Sequence, residues 1–209
     1  MEFRDVVRRR RMVRNYDPDR PVPPELVERL LAHAIRAPSA GFSQGWGFLV
    51  LDRPADVDRF WEATIPGPDT RAGQSRAGRN MTRWLAGMRS APVIVVAHSH
   101  KDTYLDRYAA EDKGWTDRDE SRWPVPYWHV DAGMAALLML LTAVDEGLGA
   151  CFFGIAPEML DSYRTAFGVP PSYTPVGAVS IGYPAPDHRS KSLARGRRGV
   201  DEVVHRGRW

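Results

Sequence analysis

Apolar residues recur along the chain with a period near four in some stretches, and with a period of two or no break in others. This alternation outlines the elements. Residues 3–11 suit a short basic helix, and Asn15-Tyr16-Asp17-Pro18-Asp19-Arg20-Pro21 is turn-rich, because proline removes a backbone donor and blocks a helix. Pro23-Pro24-Glu25 opens a helix whose stripe, Leu26, Val27, Leu30, Leu31, Ala34 and Ile35, ends before Pro38. Residues 37–46 read as a small-residue loop and Gly47 to Leu51 as a short buried strand. Helices are predicted at 54–63 and 76–89. Pro92 to Ala97 is β-branched and continuous, as in a strand covered on both faces. From Ser99 to Trp128 the chain turns polar and aromatic, with Tyr104, Tyr108, Trp115, Trp123, Tyr127 and Trp128 among charges, which predicts a covering segment. Residues 127–147 form the strongest helix, apolar around most of its circumference, and belong at the centre of the fold or against another subunit. A strand from Ala150 to Phe153, a helix from Pro157 to Phe167 and a last strand from Val176 to Ile181 follow.

Helices on either side of short strands predict an α+β sandwich. At 209 residues the chain is expected to be a single domain, 1–209. The longest apolar run, Ala132 to Val144, falls short of the ~20 residues of a membrane span, and the opening residues have no apolar stretch of the secretory kind. One cysteine excludes an intrachain disulfide and a cysteine-rich zinc site, and fits a reducing cytoplasm.

Charge changes this picture. Residues 1–20 hold seven arginines against four acids, and residues 189–209 hold seven Lys or Arg against two, while the whole chain carries only +3. Both ends could serve one anion; alternatively they are solvated basic faces or attract nucleic acid. Arg10, Arg11 and Arg14, at the three- and four-residue spacing of a helical turn, could converge on a phosphate. Pro38-Ser39-Ala40-Gly41 would let backbone N–H groups approach a ligand, and Gln44 adds an amide that both donates and accepts. Cys151 reads as a small buried hydrophobe, and His98 with His100 lacks the carboxylate or thiolate partners of a metal site.

Five stretches in order resemble the landmarks of the FMN-dependent nitroreductase family. They are Arg10-Arg11-Met12-Val13-Arg14, Ala37 to Trp46, Gly147 to Gly154, Gly182-Tyr183-Pro184, and Arg197 to His205. The resemblance implies a nitroreductase-like α/β sandwich with a central, mostly antiparallel sheet flanked by helices, and a C-terminal tail that wraps a partner subunit. It implies that Arg10, Arg11, Met12 and Arg14 bind FMN, with Arg195, Arg197 and Arg198 closing on its phosphate. Pro38, Ser39, Ala40 and Gln44 would line the flavin from the other subunit of a homodimer, and Phe153 and Gly154 would supply main-chain contacts. Phe42, Tyr104, Tyr108 and Trp123 are the candidate substrate contacts. Two residues depart from the common pattern: Phe42 stands where the family often has Asn, and Gly45 where it often has Pro.

The implied activity is ping-pong hydride transfer from NADPH or NADH, through flavin N5, to a small aromatic acceptor of the quinone or nitro type, with no side-chain acid or base required. The same scaffold hosts dehydrogenases or oxidases, dehalogenases and flavin-fragmenting dimethylbenzimidazole synthases, and the Gly41-Phe42 pair is closest to the last. A flavin carrier or nucleic-acid module is the remaining alternative. The expectation is a cytoplasmic homodimer acting on a small molecule, with no membrane, nucleic-acid or metal partner.

Overall fold

Two strands carry the centre of the molecule, which is described here by a computed structural model for residues 1–67, 85–186 and 191–209. β2 (Val93–His100) pairs antiparallel with β4 (Tyr173–Gly182). β1 (Trp46–Leu51) joins the free side of β2, and β3 (Gly149–Phe153) the free side of β4, giving the order β1-β2-β4-β3. Every pair is antiparallel, so the expected α+β sandwich with an antiparallel sheet is the observed one. The described helices are α1 (Phe3–Arg9), α2 (Pro24–Ala34), α3 (Pro54–Thr64), α4 (Lys101–Ala109), α5 (Tyr127–Asp145), α6 (Leu160–Phe167) and α7 (Val200–Val203).

The two-residue period of β2 divides the core into two layers. Val93 and Val95 pack with Val179, Ile181 and Ala150 under α2 and α5. Ile94 and Val96 pack with Cys151 and Ala178 under α3 and α6. In that second layer Phe60 meets Trp61 and Tyr163 edge to face, at 5.1 and 6.2 Å between ring centres. Cys151 is fully buried, as expected of a small hydrophobe. A register shift between Ala97 and His98 accommodates Pro175, which has no N–H to give the ladder and sits where β3 no longer accompanies β4.

Several boundaries move. β2 and β4 run longer than predicted, because their pairing with each other carries both past their apolar runs. The polar segment after Ser99 contains α4, whose only buried residues are Tyr104 and Leu105; so narrow a stripe leaves little periodicity to read. His100 caps it by accepting the Thr103 N–H. The helix predicted at 76–89 lies largely outside the described residues, and Ala86–Ser90 is a 3-10 turn. α5 is long and apolar enough to cross a membrane, yet half of it is buried inside the fold. It is the core helix, packed on α2 and the sheet.

Tyr16 fastens the N-terminal arm to this core. It is 1% exposed, and its hydroxyl lies 2.7 Å from Val13 O, 3.0 Å from Ser180 O and 2.9 Å from Ser180 Oγ. Its single proton can serve one carbonyl while Ser180 donates back. Tyr16→Phe should therefore cost about 1–3 kcal/mol in urea unfolding, because buried acceptors lose their donor and no cavity is made.

Candidate functional site

The first group of predicted residues lies at the β3 edge of the sheet, in a different arrangement from the one expected. α1 stops at Arg9, and the backbone beyond it is extended. Met12 bridges Ala150 in parallel, and the Val13 N–H donates to Ala150 O at 3.0 Å. An open strand edge offers unpaired backbone groups, and this segment takes them in preference to a further helical turn. Side chains on extended chain alternate, so Arg10, Met12 and Arg14 share one side, with Arg11 and Val13 on the other. Arg11 and Val13 indeed line a separate cavity of about 490 Å³ with Arg9, Leu148, Gly149 and Ala150. The single cluster of three arginines on a helix is thus corrected to a pair, Arg10 and Arg14, on a strand-like strip.

Both members of the pair are half-buried. Arg14 Nη1 reaches Met12 O at 3.4 Å. Arg10 Nη1 is buried and has no hydrogen-bond acceptor among the described residues. A guanidinium N–H so placed costs about 1–3 kcal/mol until an acceptor arrives, and a phosphate oxygen satisfies it in kind. At the same edge, Phe153 ends β3. Its ring is buried and stacked on Trp61 at 5.5 Å and 9°, so only its main chain is available, beside the exposed Gly154.

The second group lies at the opposite edge, in the loop that leads into β1. Gly41, Phe42 and Gln44 all have positive φ, of 62°, 55° and 55°. Two non-glycine residues in that region mark a backbone held in place by its surroundings. Ser39 O and Ala40 O accept the N–H groups of Phe42 and Ser43, and Ser39 Oγ accepts that of Gln44 at 2.8 Å. The Ala40 N–H donates to Asp131 Oδ2 at 2.8 Å. Within the stretch 38–41 expected to offer backbone N–H groups, that of Ala40 is therefore taken inside the protein, as are those of Phe42, Ser43 and Gln44 beyond it. The loop presents side chains instead: Pro38 and Gln44 are exposed, and Phe42 is 76% exposed.

Two aromatic side chains of α4 explain the shape of the loop. Tyr104 and Tyr108 are four residues apart and face Gly45 and Gly41, which are also four apart. A Cβ on Gly45 would meet Tyr104 Cε2 at 2.5 Å, and one on Gly41 would meet Tyr108 Cε2 at 2.6 Å. Gly45, one of the two departures from the pattern the sequence resembles, is thus matched to the tyrosine beneath it. Tyr104 is fully buried, donates to Asp131 Oδ2 at 2.8 Å, and has its phenol pKa raised by burial. Its placement as a substrate contact is corrected accordingly: it supports the loop from beneath. Arg107 adds a clamp, with Nε on Gly41 O at 3.1 Å and a two-pronged pair to Asp112 at 2.7 and 2.6 Å. That pairing holds the Asp112 carboxyl below its usual range.

Trp123 and Tyr108 do come together. Their ring centres are 4.6 Å apart, and Trp115 joins them at 5.5 and 4.9 Å. The predicted cover is therefore an aromatic cluster beside the loop. Its Trp123 Nε1 is buried without an acceptor among the described residues. His98, weighed and set aside as a metal ligand, is buried with Nε2 2.9 Å from the Tyr163 hydroxyl, and burial lowers its pKa.

The tail carrying Arg195, Arg197 and Arg198 buries none of residues 193–209 on its own body. Arg198 is paired with Glu202 at 3.1 Å; Arg195 and Arg197 are exposed, and Trp209 is 99% exposed. The strip and the loop flank the sheet from opposite sides, separated by about four strand spacings, roughly 19 Å, across the strands, and they lie toward opposite ends of those strands. Asp131, Arg107 and Tyr16 are the residues that sequence reading passed over; Asp131 alone left a signal, as the one acid within the apolar body of α5.

The Nitroreductase family model matches residues 7–183, and the chain belongs to that family. A protein of Archaeoglobus fulgidus, provisionally named NADH dehydrogenase/NAD(P)H nitroreductase, is 27% identical over 202 residues, covering 96% of this chain and 94% of its own. A protein of the same provisional name from Methanothermobacter thermautotrophicus is 25% identical over 195 residues, covering 92% and 83%. Among solved structures, a provisionally named nitroreductase of Desulfovibrio desulfuricans in complex with FMN superposes with a TM-score of 0.70 at 24% identity, over 100% of this chain and 98% of that one. At that identity the likeness establishes the fold.

The glycine–tyrosine match can be tested by a double-mutant cycle. Gly41→Ala should destabilise by about 1–3 kcal/mol through overpacking and positive φ together. In a Tyr108→Ala background the steric part should disappear, leaving about 1 kcal/mol. Strict additivity in denaturant titrations would contradict the contact.

Proposed function

We propose that the protein is an FMN-dependent oxidoreductase working as a homodimer, with each flavin between the strip of one subunit and the loop of the other. The observation that carries this reading is the buried, acceptor-less Arg10 Nη1 on a strip shared with Arg14. Bound FMN would supply hydride chemistry, accepting from NADPH or NADH and delivering to a small quinone- or nitro-type aromatic. The chain's own residues would hold and shield it. Arg10 and Arg14 would neutralise the phosphate, with Arg197 and Arg195 of the tail closing over it. The Gly154 main chain would approach the ring where no side chain obstructs it. Gln44 and Phe42 would meet the ring from the facing subunit, and the Tyr108 and Trp123 cluster would exclude water above an aromatic substrate.

The two half-sites support the dimer, because four strand spacings separate them in one chain and a two-fold axis can join the strip of one copy to the loop of another. Val130 and Leu137 of α5 and Phe3 and Val7 of α1 are exposed apolar side chains that such a pairing would cover. Phe42 favours a second reading, in which the same flavin site serves dehydrogenation, dehalogenation or flavin fragmentation: a bulky exposed ring stands where the family commonly has a polar amide.

Arg10→Ala should weaken FMN binding about 10- to 100-fold while leaving riboflavin, which has no phosphate, unaffected. Arg11→Ala should change FMN binding far less, since Arg11 lines the other side of the strip; equal losses at both positions would contradict the alternation. Anaerobic mixing of the yellow protein with each nicotinamide separates the two readings: rapid bleaching supports the first, and no bleaching by either counts against it.

A further inference from the structure

We propose that Asp131 is a positioning residue for the flavin: its buried carboxylate fixes the cofactor-facing loop by holding the Ala40 N–H and the Tyr104 hydroxyl on one oxygen. The inference rests on the FMN reading above and concerns how that site is shaped. Asp131 is 1% exposed, and both donors lie 2.8 Å from the same Oδ2. It stands in the second turn of α5, so the rigid core helix carries the anchor. Its two partners reach opposite ends of the loop. The Ala40 N–H fixes the start, just before the residues at positive φ. The Tyr104 ring sits beneath Gly45 at the end, and its hydroxyl lies 3.5 Å from Ser39 Oγ, which accepts the Gln44 N–H. One carboxylate therefore sets where Phe42 and Gln44 point.

A hydrophobic residue at 131 would take the acceptor from the buried Tyr104 hydroxyl and the part-buried Ala40 N–H, and the loop would lose its tie to α5. Asn can place a neutral carbonyl oxygen with two lone pairs where Oδ2 stands, and so accept both donors without the charge. Tyr104→Phe removes one donor and leaves the Ala40 contact. The variants thus grade the anchor without touching any residue that faces the ligand.

The test is titration of the apoproteins with FMN and with riboflavin, alongside thermal unfolding and the visible circular dichroism of the bound flavin. Asp131→Ala is expected to weaken both flavins by about the same factor, on the order of 10-fold, with an altered dichroism band. Asp131→Asn and Tyr104→Phe should each lose less, and the ratio of FMN to riboflavin affinity should stay that of the parent protein, in contrast to Arg10→Ala. Variants that melt earlier yet bind both flavins as the parent does, with an unchanged band, would show a purely structural aspartate and overturn the proposal. If Asp131→Ala does not fold, the other two variants decide the question. A parent protein that takes up neither flavin overturns the cofactor reading itself, a result distinct from unaffected variants of a flavin-binding parent.

Discussion

A sheet buried on both faces leaves chemistry only at its margins, and that constraint orders this molecule. β2 and β4 give one face to α2 and α5 and the other to α3 and α6, so no central residue can meet a ligand. What remains are two edges and the segments laid along them. The N-terminal strip completes one edge, and the loop before β1 approaches the other. The arginines stand where they do because an edge strand had backbone groups to share.

The loop shows how a departure from a family pattern is absorbed. Removing a proline at position 45 and an asparagine at 42 would ordinarily free the chain. Here the room is filled by tyrosines from α4, each placed against a glycine, and a buried carboxylate joins the two sides. Backbone at positive φ is tolerated because several contacts over-determine it. The aromatic cluster around Trp123 continues the same packing outward, so the cover and the loop form one body.

Much of this was legible in the sequence. The unbroken β-branched run of β2 and the all-round apolar α5 announced their central places, and the ordered motifs gave the family. The arginine motif was found, but its geometry was misread: local pattern favours helix through residue 11, while the decision lies with the unpaired edge of β3, some 140 residues away in the chain. α4 was missed because a helix burying two residues has almost no hydrophobic period. The role of Tyr104 was hidden for a related reason. A tyrosine among charges looks like an exposed contact until its buried partner on α5 is known.

The placement of the strip and the loop on opposite edges has a genetic consequence. In a symmetric pairing of the kind proposed, an alteration in the loop of one copy damages the pocket built on its partner's arginines, and leaves its own arginines serviceable. Two defective alleles, one altered in the strip and one in the loop, would complement each other. Their mixed dimer would gather both lesions into one pocket and leave the other whole.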